Sequence, residues 1–387
     1  MTTFSSRIYL DHNATSPVSH DLFVRLGELL KTASANPSSP HASGRKSKIA
    51  LENVRMKIAK LLGSRVEEII FCSGATEANN MVLQGLAAAK AQNKETLKVL
   101  TSDSEHPSVS ETLVILEQRG STVVGKVKLL TTGHLDIEDL RTKIDADTNL
   151  ITLIWGHNEV GIINPIDKII PIIRNISPKC HIHVDGVQML GKQDLALVAQ
   201  MGMDSLSFSG HKTGSLKGVG FLYLKGGSKL SRFLAGGGQE RGRRAGTEAL
   251  DAILSLGLAL DDLSRSAPWS DSNRHREARR VLIEGLKAHS RIHIHGDDDP
   301  SKGLANTVHF HIDGVSGDDV IIRLDMAGVE VSSGSACSSG SGRPSSSLLG
   351  MGYSEWVALN SIRVSFGPDA TATEASRVLD VVVEVLS

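Results

Sequence analysis

The chain has 387 residues, enough for two units around a large shared core, and its charges balance to a net −1, so no global field draws it to nucleic acid or anionic lipid. No apolar run reaches membrane-spanning length, and residues 1–7 are polar and lack a signal-peptide core, so the expected location is the cytoplasm, with neither a membrane nor a nucleic acid as partner. Three scattered cysteines, Cys72, Cys180 and Cys337, suit neither a disulfide framework nor a zinc knuckle, which leaves room for one reactive thiol.

Tyr9-Leu10-Asp11 reads as a short strand before a polar turn. A helix follows from about Ser19, with Leu22, Phe23, Leu26, Leu29 and Leu30 expected on one face. A second is expected over residues 45–62, with Ala50, Val54, Ile58 and Leu61 at helical spacing and Gly63 as its stop. The pattern then becomes strand, turn, helix, repeatedly. Ile69-Ile70-Phe71 leads into Ser73-Gly74-Ala75-Thr76, and Val99-Leu100 into Glu105-His106-Pro107. Leu150-Ile151-Thr152-Leu153-Ile154 leads into Asn158-Glu159, and His181-Ile182-His183-Val184 into Asp185. Short continuous apolar runs alternating with helices indicate an α/β fold with a buried, mostly parallel sheet. Ligands in such sheets gather beyond the carboxyl ends of the strands, where each of these polar clusters lies. From residue 261 the texture changes to a charged helix, 273–289, and short alternating strands, 292–295 and 307–312. The expected division is a large cofactor-binding domain over 16–260, and a smaller α+β domain of 1–15 with 261–387 that carries the Ser/Gly-rich loop 332–347.

Two strand ends carry the chemistry. One apolar strand ends in Asp185; the next, Ser205-Leu206-Ser207-Phe208-Ser209, runs into Gly210-His211-Lys212. A pyridoxal phosphate (PLP) site needs this pair: an amine to bond the cofactor aldehyde, and a carboxylate to keep the pyridine nitrogen protonated so the ring accepts electrons. Ser73-Gly74-Ala75-Thr76-Glu77 opens a helix whose free amides can hold a phosphate, although an ordinary capped helix reads the same way. Glu105-His106-Pro107 projects His106 from a strand end, where an imidazole can stack on a ring or serve structure alone. The stretch Gly236-Gly237-Gly238-Gln239-Glu240-Arg241-Gly242 is glycine-rich and basic, but no dinucleotide or phosphate-loop fingerprint is present. Ser361-Ile362-Arg363-Val364-Ser365-Phe366 alternates with period two, so Arg363 points away from the core side, suited to grip a carboxylate or simply to face solvent. Three His-x-His pairs, His181/His183, His293/His295 and His309/His311, could chelate from strands. No adjacent carboxylate or Cys completes them at sensible spacing, the outer face is the expected place for the last two pairs, and no metal site is expected.

Together these segments resemble the cysteine desulfurases, PLP enzymes of the aspartate-aminotransferase fold (fold type I, class V). The resemblance runs from Tyr9-Leu10-Asp11-His12-Asn13-Ala14-Thr15 to Arg363-Val364-Ser365-Phe366-Gly367, and rests on Ser-Gly-His-Lys at 209–212, Gly-Gly-Gly-Gln-Glu-Arg-Gly at 236–242 and Ser-Ser-Gly-Ser-Ala-Cys at 332–337 in combination. It implies that Lys212 bonds the cofactor and later moves protons, that Asp185 pairs with the pyridine nitrogen, and that Gln188 and Asn158 contact the phenolic oxygen. His106 would stack on the ring, and Ala75, Thr76, Ser209 and His211 would bind the phosphate. Thr247 would reach the neighbouring subunit's phosphate, which implies a homodimer. Arg363, helped by Asn36, would bind the carboxylate of L-cysteine. Cys337 would take the sulfur as a persulfide, with alanine as co-product, on a loop mobile enough to hand it to an acceptor protein such as an iron–sulfur scaffold or a thiolation enzyme. The longer loop resembles the subgroup that supplies iron–sulfur or nitrogen-fixation clusters.

The chain departs from that pattern at Cys72, where Thr is usual, at His157, at Ala245 and at Ser215-Leu216. Two other readings stand beside it: another class V enzyme, an aminotransferase or selenocysteine lyase, and a non-catalytic partner subunit.

Overall fold

The structure, a computed structural model, describes residues 7–265, 272–334 and 343–386. Its centre is a seven-stranded sheet in the order Ile69–Cys72, Gly220–Leu224, Ser205–Ser209, His181–Asp185, Leu150–Ile154, Leu97–Ser102, Thr122–Val127. Only Gly220–Leu224 runs against the rest, pairing antiparallel with both its neighbours; the remaining pairs are parallel. Leu150–Ile154 and Ser205–Ser209 are buried at every position, as strands covered on both faces must be. Leu153, Leu206, Phe208 and Phe221 meet Leu51, Ile58, Ile169 and Leu254 from the flanking helices in one apolar core.

A second core lies about a four-stranded antiparallel sheet, Ser332–Ser333, Ile362–Ser365, Thr307–Ile312, Ile292–Ile294. Phe310, Ile362, Val364 and Phe366 pack there with Leu282 and Val378 of helices Asn273–Lys287 and Ala372–Leu386. The N-terminal strand returns to it, as its sequence suggested. Ile8–Tyr9 pairs in parallel with Val329–Glu330, and Leu10 is fully buried in this core. The helix Leu250–Ser264 runs through residue 260, so the expected division falls within a continuous element.

Local signals explain most helix ends. The Ser19 side chain accepts from Leu22 N and starts His20–Leu30. Gly63, at φ 62°, ends Ala42–Leu62 in the left-handed conformation, where a Cβ would also lie 2.4 Å from Ala196 O. One expectation fails: Leu22 and Leu26 are buried, but Phe23 and Leu29 are exposed. The apolar stripe of that helix is wider than the face the helix Leu250–Ser264 covers. Among the described residues, no helix is long and apolar enough to cross a membrane.

Candidate active site

The carboxyl ends of five strands converge on one cavity of about 620 Å³. Asp185 ends its strand there, Ser209 ends the next, and a single 3-10 turn, Gly210–Thr213, presents His211 and Lys212. The loops after Ile69–Cys72, Leu97–Ser102 and Leu150–Ile154 bring Gly74, His106 and Asn158. Arg363 enters from the second sheet, and Ala75, Thr76 and Gln188 complete the expected lining.

Asp185 is 4% exposed. Its carboxylate accepts from Asn79 Nδ2 at 3.0 Å and from Val187 N at 3.1 Å, which offsets the cost of burying the charge. Asn79 is itself aimed by His183, whose Nε2 lies 2.9 Å from Asn79 Oδ1 and whose Nδ1 lies 2.8 Å from Ser205 Oγ. Burial pushes the His183 imidazole down to about 3, so it stays neutral. Asn79 Nδ2 also meets Ser108 Oγ at 2.8 Å, and that hydroxyl lies 2.8 Å from His106 Nδ1. His106 caps the helix Pro107–Gln118 by accepting from Ser108 N at 3.0 Å, which leaves the proton of the neutral ring on Nε2. Asp185, expected at the pyridine nitrogen, and His106, expected on the ring face, are thus coupled through Asn79 and Ser108.

Lys212 Nζ donates to the Asn13 and Ala14 carbonyls, each at 2.6 Å. A second amine, Lys192, lies behind it. Its Nζ donates to Asn13 Oδ1 at 2.7 Å and Gln188 Oε1 at 2.6 Å. Burial, with Lys212 and Arg363 nearby, drives its pKa well below the usual lysine value. Lys192 therefore positions Gln188. Arg363, an expected solvent-facing candidate on its strand pattern alone, is 1% exposed. Its Nη2 donates to Asp11 Oδ1 at 2.7 Å and its Nη1 to Asn158 O at 3.2 Å, while Nε is buried without a partner among the described residues. Glu105 is also buried, and burial together with Asp185 pushes its carboxyl up to about 8.

Two expected residues, Thr247 and Asn36, stand apart. Thr247 is exposed and outside the cavity lining. Asn36 is exposed too, its Oδ1 accepting from Ser38 N at 2.8 Å. Cys337 lies outside the described residues. Cys72 is buried, its thiol pushed up to about 12, and its Sγ donates to Gly74 O at 3.2 Å, which marks it as structural. His157 also has a structural place, its Nδ1 accepting from Glu159 N and Val160 N and its Nε2 lying 2.9 Å from Ser347 Oγ. Asn79 and Lys192 had no motif to mark them; Glu105 stood in the Glu105-His106-Pro107 segment without a role, and His183 lies two residues before Asp185 on the same strand face.

The donor set fits PLP. The helix Ala75–Gln92 starts at Gly74 without a side-chain cap, so its first amides face the cavity end where Ser209 and His211 also lie. A buried, hydrogen-bonded carboxylate, Asp185, lines the same cavity, with Lys212 and Lys217 also in its wall. Phosphate, ring nitrogen and aldehyde each have a matching group.

Fold and site define a PLP enzyme of fold type I. The aminotransferase class-V family matches residues 8–378. The chain belongs to that family and, within it, to the cysteine desulfurases. It is 35% identical over 380 residues to cysteine desulfurase IscS of Dictyoglomus turgidum, covering 98% of this chain and 94% of that one. A solved NifS-like protein superposes with a TM-score of 0.89 at 29% identity, over 98% of this chain and 99% of that one. A solved structure of SspA in complex with cysteine matches at 28% identity and a TM-score of 0.79, over 94% of this chain and all of that one.

Proposed function

We propose that the cavity converts L-cysteine to L-alanine and passes the sulfur to Cys337 as a persulfide. The observation that carries this reading is the convergence of Lys212, Asp185, His106 and Arg363 on one cavity. Bound PLP supplies an aldehyde for the substrate amine and a ring that accepts electrons from its α-carbon. Asp185, held by Asn79 and Val187, would pair with the ring nitrogen. The Ala75 and Thr76 amides, with Ser209 and His211, would hold the phosphate, and Gln188 and Asn158 would contact the phenolic oxygen. Arg363 grips the substrate carboxylate, with Asn36 closing over it. Lys212 removes and returns protons at the substrate carbon, and His106 keeps a proton on Nε2 for the leaving side. The Cys337 thiolate attacks the substrate sulfur: an S–S bond forms as the carbon–sulfur bond breaks. Carbon keeps that electron pair and takes up a proton, giving alanine, while the enzyme thiol is oxidised to a persulfide.

Two copies associate in this reading, with Thr247 of each facing the other's phosphate. Phe23, Val24, Ile49 and Met56, each at least half exposed on two helices that both pack on Leu250–Ser264, support such a covered face. The two apolar cores support the division into 16–260 and 1–15 with 261–387. The reading sets the reaction in the cytoplasm, where a reactive thiol stays reduced, and ends with sulfur transfer to an acceptor protein for iron–sulfur cluster or other thio-cofactor synthesis.

The test is a trapped intermediate. After reaction with L-cysteine without reductant, alkylation and mass spectrometry should find the Cys337 peptide one sulfur heavier. The Cys337→Ala variant should keep bound PLP and lose sulfide release. Sulfide release at the full rate from that variant would refute the role of Cys337.

A further inference from the structure

The antiparallel register of Ile292–Ile294 with Thr307–Ile312 sets His293 directly opposite His311. Side chains two residues apart on a strand share a face, so Asp313 lies on the same side as His311. His293 Nε2 is 2.8 Å from Asp313 Oδ2, and His311 Nε2 is 3.4 Å from Asp313 Oδ1. One ligand atom from each of the three residues falls within 4.8 Å of the others. The carboxylate is Asp313, two residues after His311 and at the same strand spacing as the His-x-His pair, which corrects the expectation that no adjacent carboxylate completes it.

Of the four histidines only His293 lies on an outer face. His295, His309 and His311 are buried, with Tyr353 and Trp356 against them. His311 Nδ1 lies 2.7 Å from His295 Nε2, and His295 Nδ1 lies 2.8 Å from His309 Nδ1. This line has only two consistent proton arrangements. In one, His311 donates to His295 and His295 to His309, which leaves His311 Nε2 as a bare lone pair facing Asp313. Metal-binding imidazoles are aimed in this way, through a hydrogen bond from the nitrogen that does not bind the ion.

We propose that His293 Nε2, His311 Nε2 and the Asp313 carboxylate form a site for a zinc-type divalent cation, separate from the PLP cavity, with water in the remaining position. Two imidazoles and one carboxylate select zinc over magnesium or calcium, which prefer oxygen alone. Ligand bonds of about 2.0–2.2 Å in a tetrahedron set ligand atoms about 3.3 Å apart, close to the 3.4 Å between His311 and Asp313. The side chains of His293 and Asp313 are about half exposed, so the ion has an open approach from solvent. The inner end of the imidazole line, His309, lies under Gly334, where a Cβ would come 2.4 Å from His309 Nε2. An ion at the outer end therefore fixes the proton arrangement as far as the imidazole next to Gly334.

The test uses the PLP-loaded Cys337→Ala protein, which removes the candidate reactive thiol as a competing ligand. After treatment with a chelator and dialysis against zinc chloride, elemental analysis should find one zinc per chain. Titration calorimetry should show affinity at least tenfold weaker in His293→Ala and in Asp313→Asn, with His20→Ala, an exposed histidine elsewhere, unchanged. Both substitutions lie on exposed side chains, and unchanged PLP absorbance would show that the fold is intact. No retained zinc, or zinc retained equally by His293→Ala and Asp313→Asn, overturns the proposal.

Discussion

A charged side chain buried in a cavity wall needs partners, and Arg363 has Asp11 and the Asn158 carbonyl on two nitrogens with Nε buried and unpartnered. The proposed role of Arg363 is to hold the substrate carboxylate from the cavity wall. Arg363→Lys keeps the charge but loses the planar fork, so steady-state kinetics should show KM for L-cysteine raised about tenfold to a hundredfold with kcat changed less. An unchanged KM would remove Arg363 from substrate binding. At this scale the sequence showed the residues at or just beyond strand ends, Asp185, Lys212 and His106, because the apolar runs before them are plain. It could not show Asn79 or Lys192. Asn79 lies mid-helix and Lys192 in a loop, and each acquires its role only when separate segments close on the cavity.

Among elements, the strand Gly220–Leu224 matters more than its bland sequence suggests. Gly220 sits in register with both Cys72 and Ser209, between the two strands that frame the phosphate cradle. A Cβ there would lie 2.5 Å from Gly74 Cα and 2.5 Å from Phe208 O. Gly220→Ala should cost about 1–3 kcal/mol in urea unfolding and shed PLP on gel filtration, because the Gly74 turn must move. Gly27, in the exposed helix His20–Leu30 with nothing within 4 Å, is the contrast: Gly27→Ala should stabilise by up to about 1 kcal/mol. Equal PLP retention by the two variants would contradict this account of the cradle. Helix starts and stops were legible from Ser19 and Gly63, because caps are local chemistry. The exposure of Phe23 was not, because it depends on how much of a helix its neighbours cover.

At the scale of the whole molecule, the buried imidazoles set the response to acid. Burial holds His157 at about 4 and His183 and His295 at about 3. The unfolded chain binds protons at these groups near pH 6.5 while the folded chain refuses them, so stability is full above that value and is lost as pH falls toward 4 and 3. Glu105 acts in the opposite sense. Its folded pKa is raised to about 8, so its contribution is fully present below the unfolded value and is lost as pH rises through about 8. Urea midpoints measured from pH 4 to pH 9 should therefore fall on both sides of a maximum, and Glu105→Gln should flatten the alkaline limb up to about pH 8 while steepening the acid limb above the ordinary carboxylate range. An unaltered alkaline limb would mean that Glu105 is ionised in the folded protein. The fold class was legible at this scale because alternating buried strands and helices admit few architectures. The cross-strand meeting of His293, His311 and Asp313 was hidden, because register is a property of two strands and neither carries it alone.

The central claim is a desulfurase reaction at the Lys212–Asp185 cavity. Its most direct test is to incubate the purified protein with L-cysteine, PLP and a reductant, and to quantify sulfide and alanine in the same sample. The account predicts both products in equal amounts, increasing together over many turnovers. Absence of both products, with PLP demonstrably bound, would contradict it and leave a fold-type I enzyme acting on another amino acid.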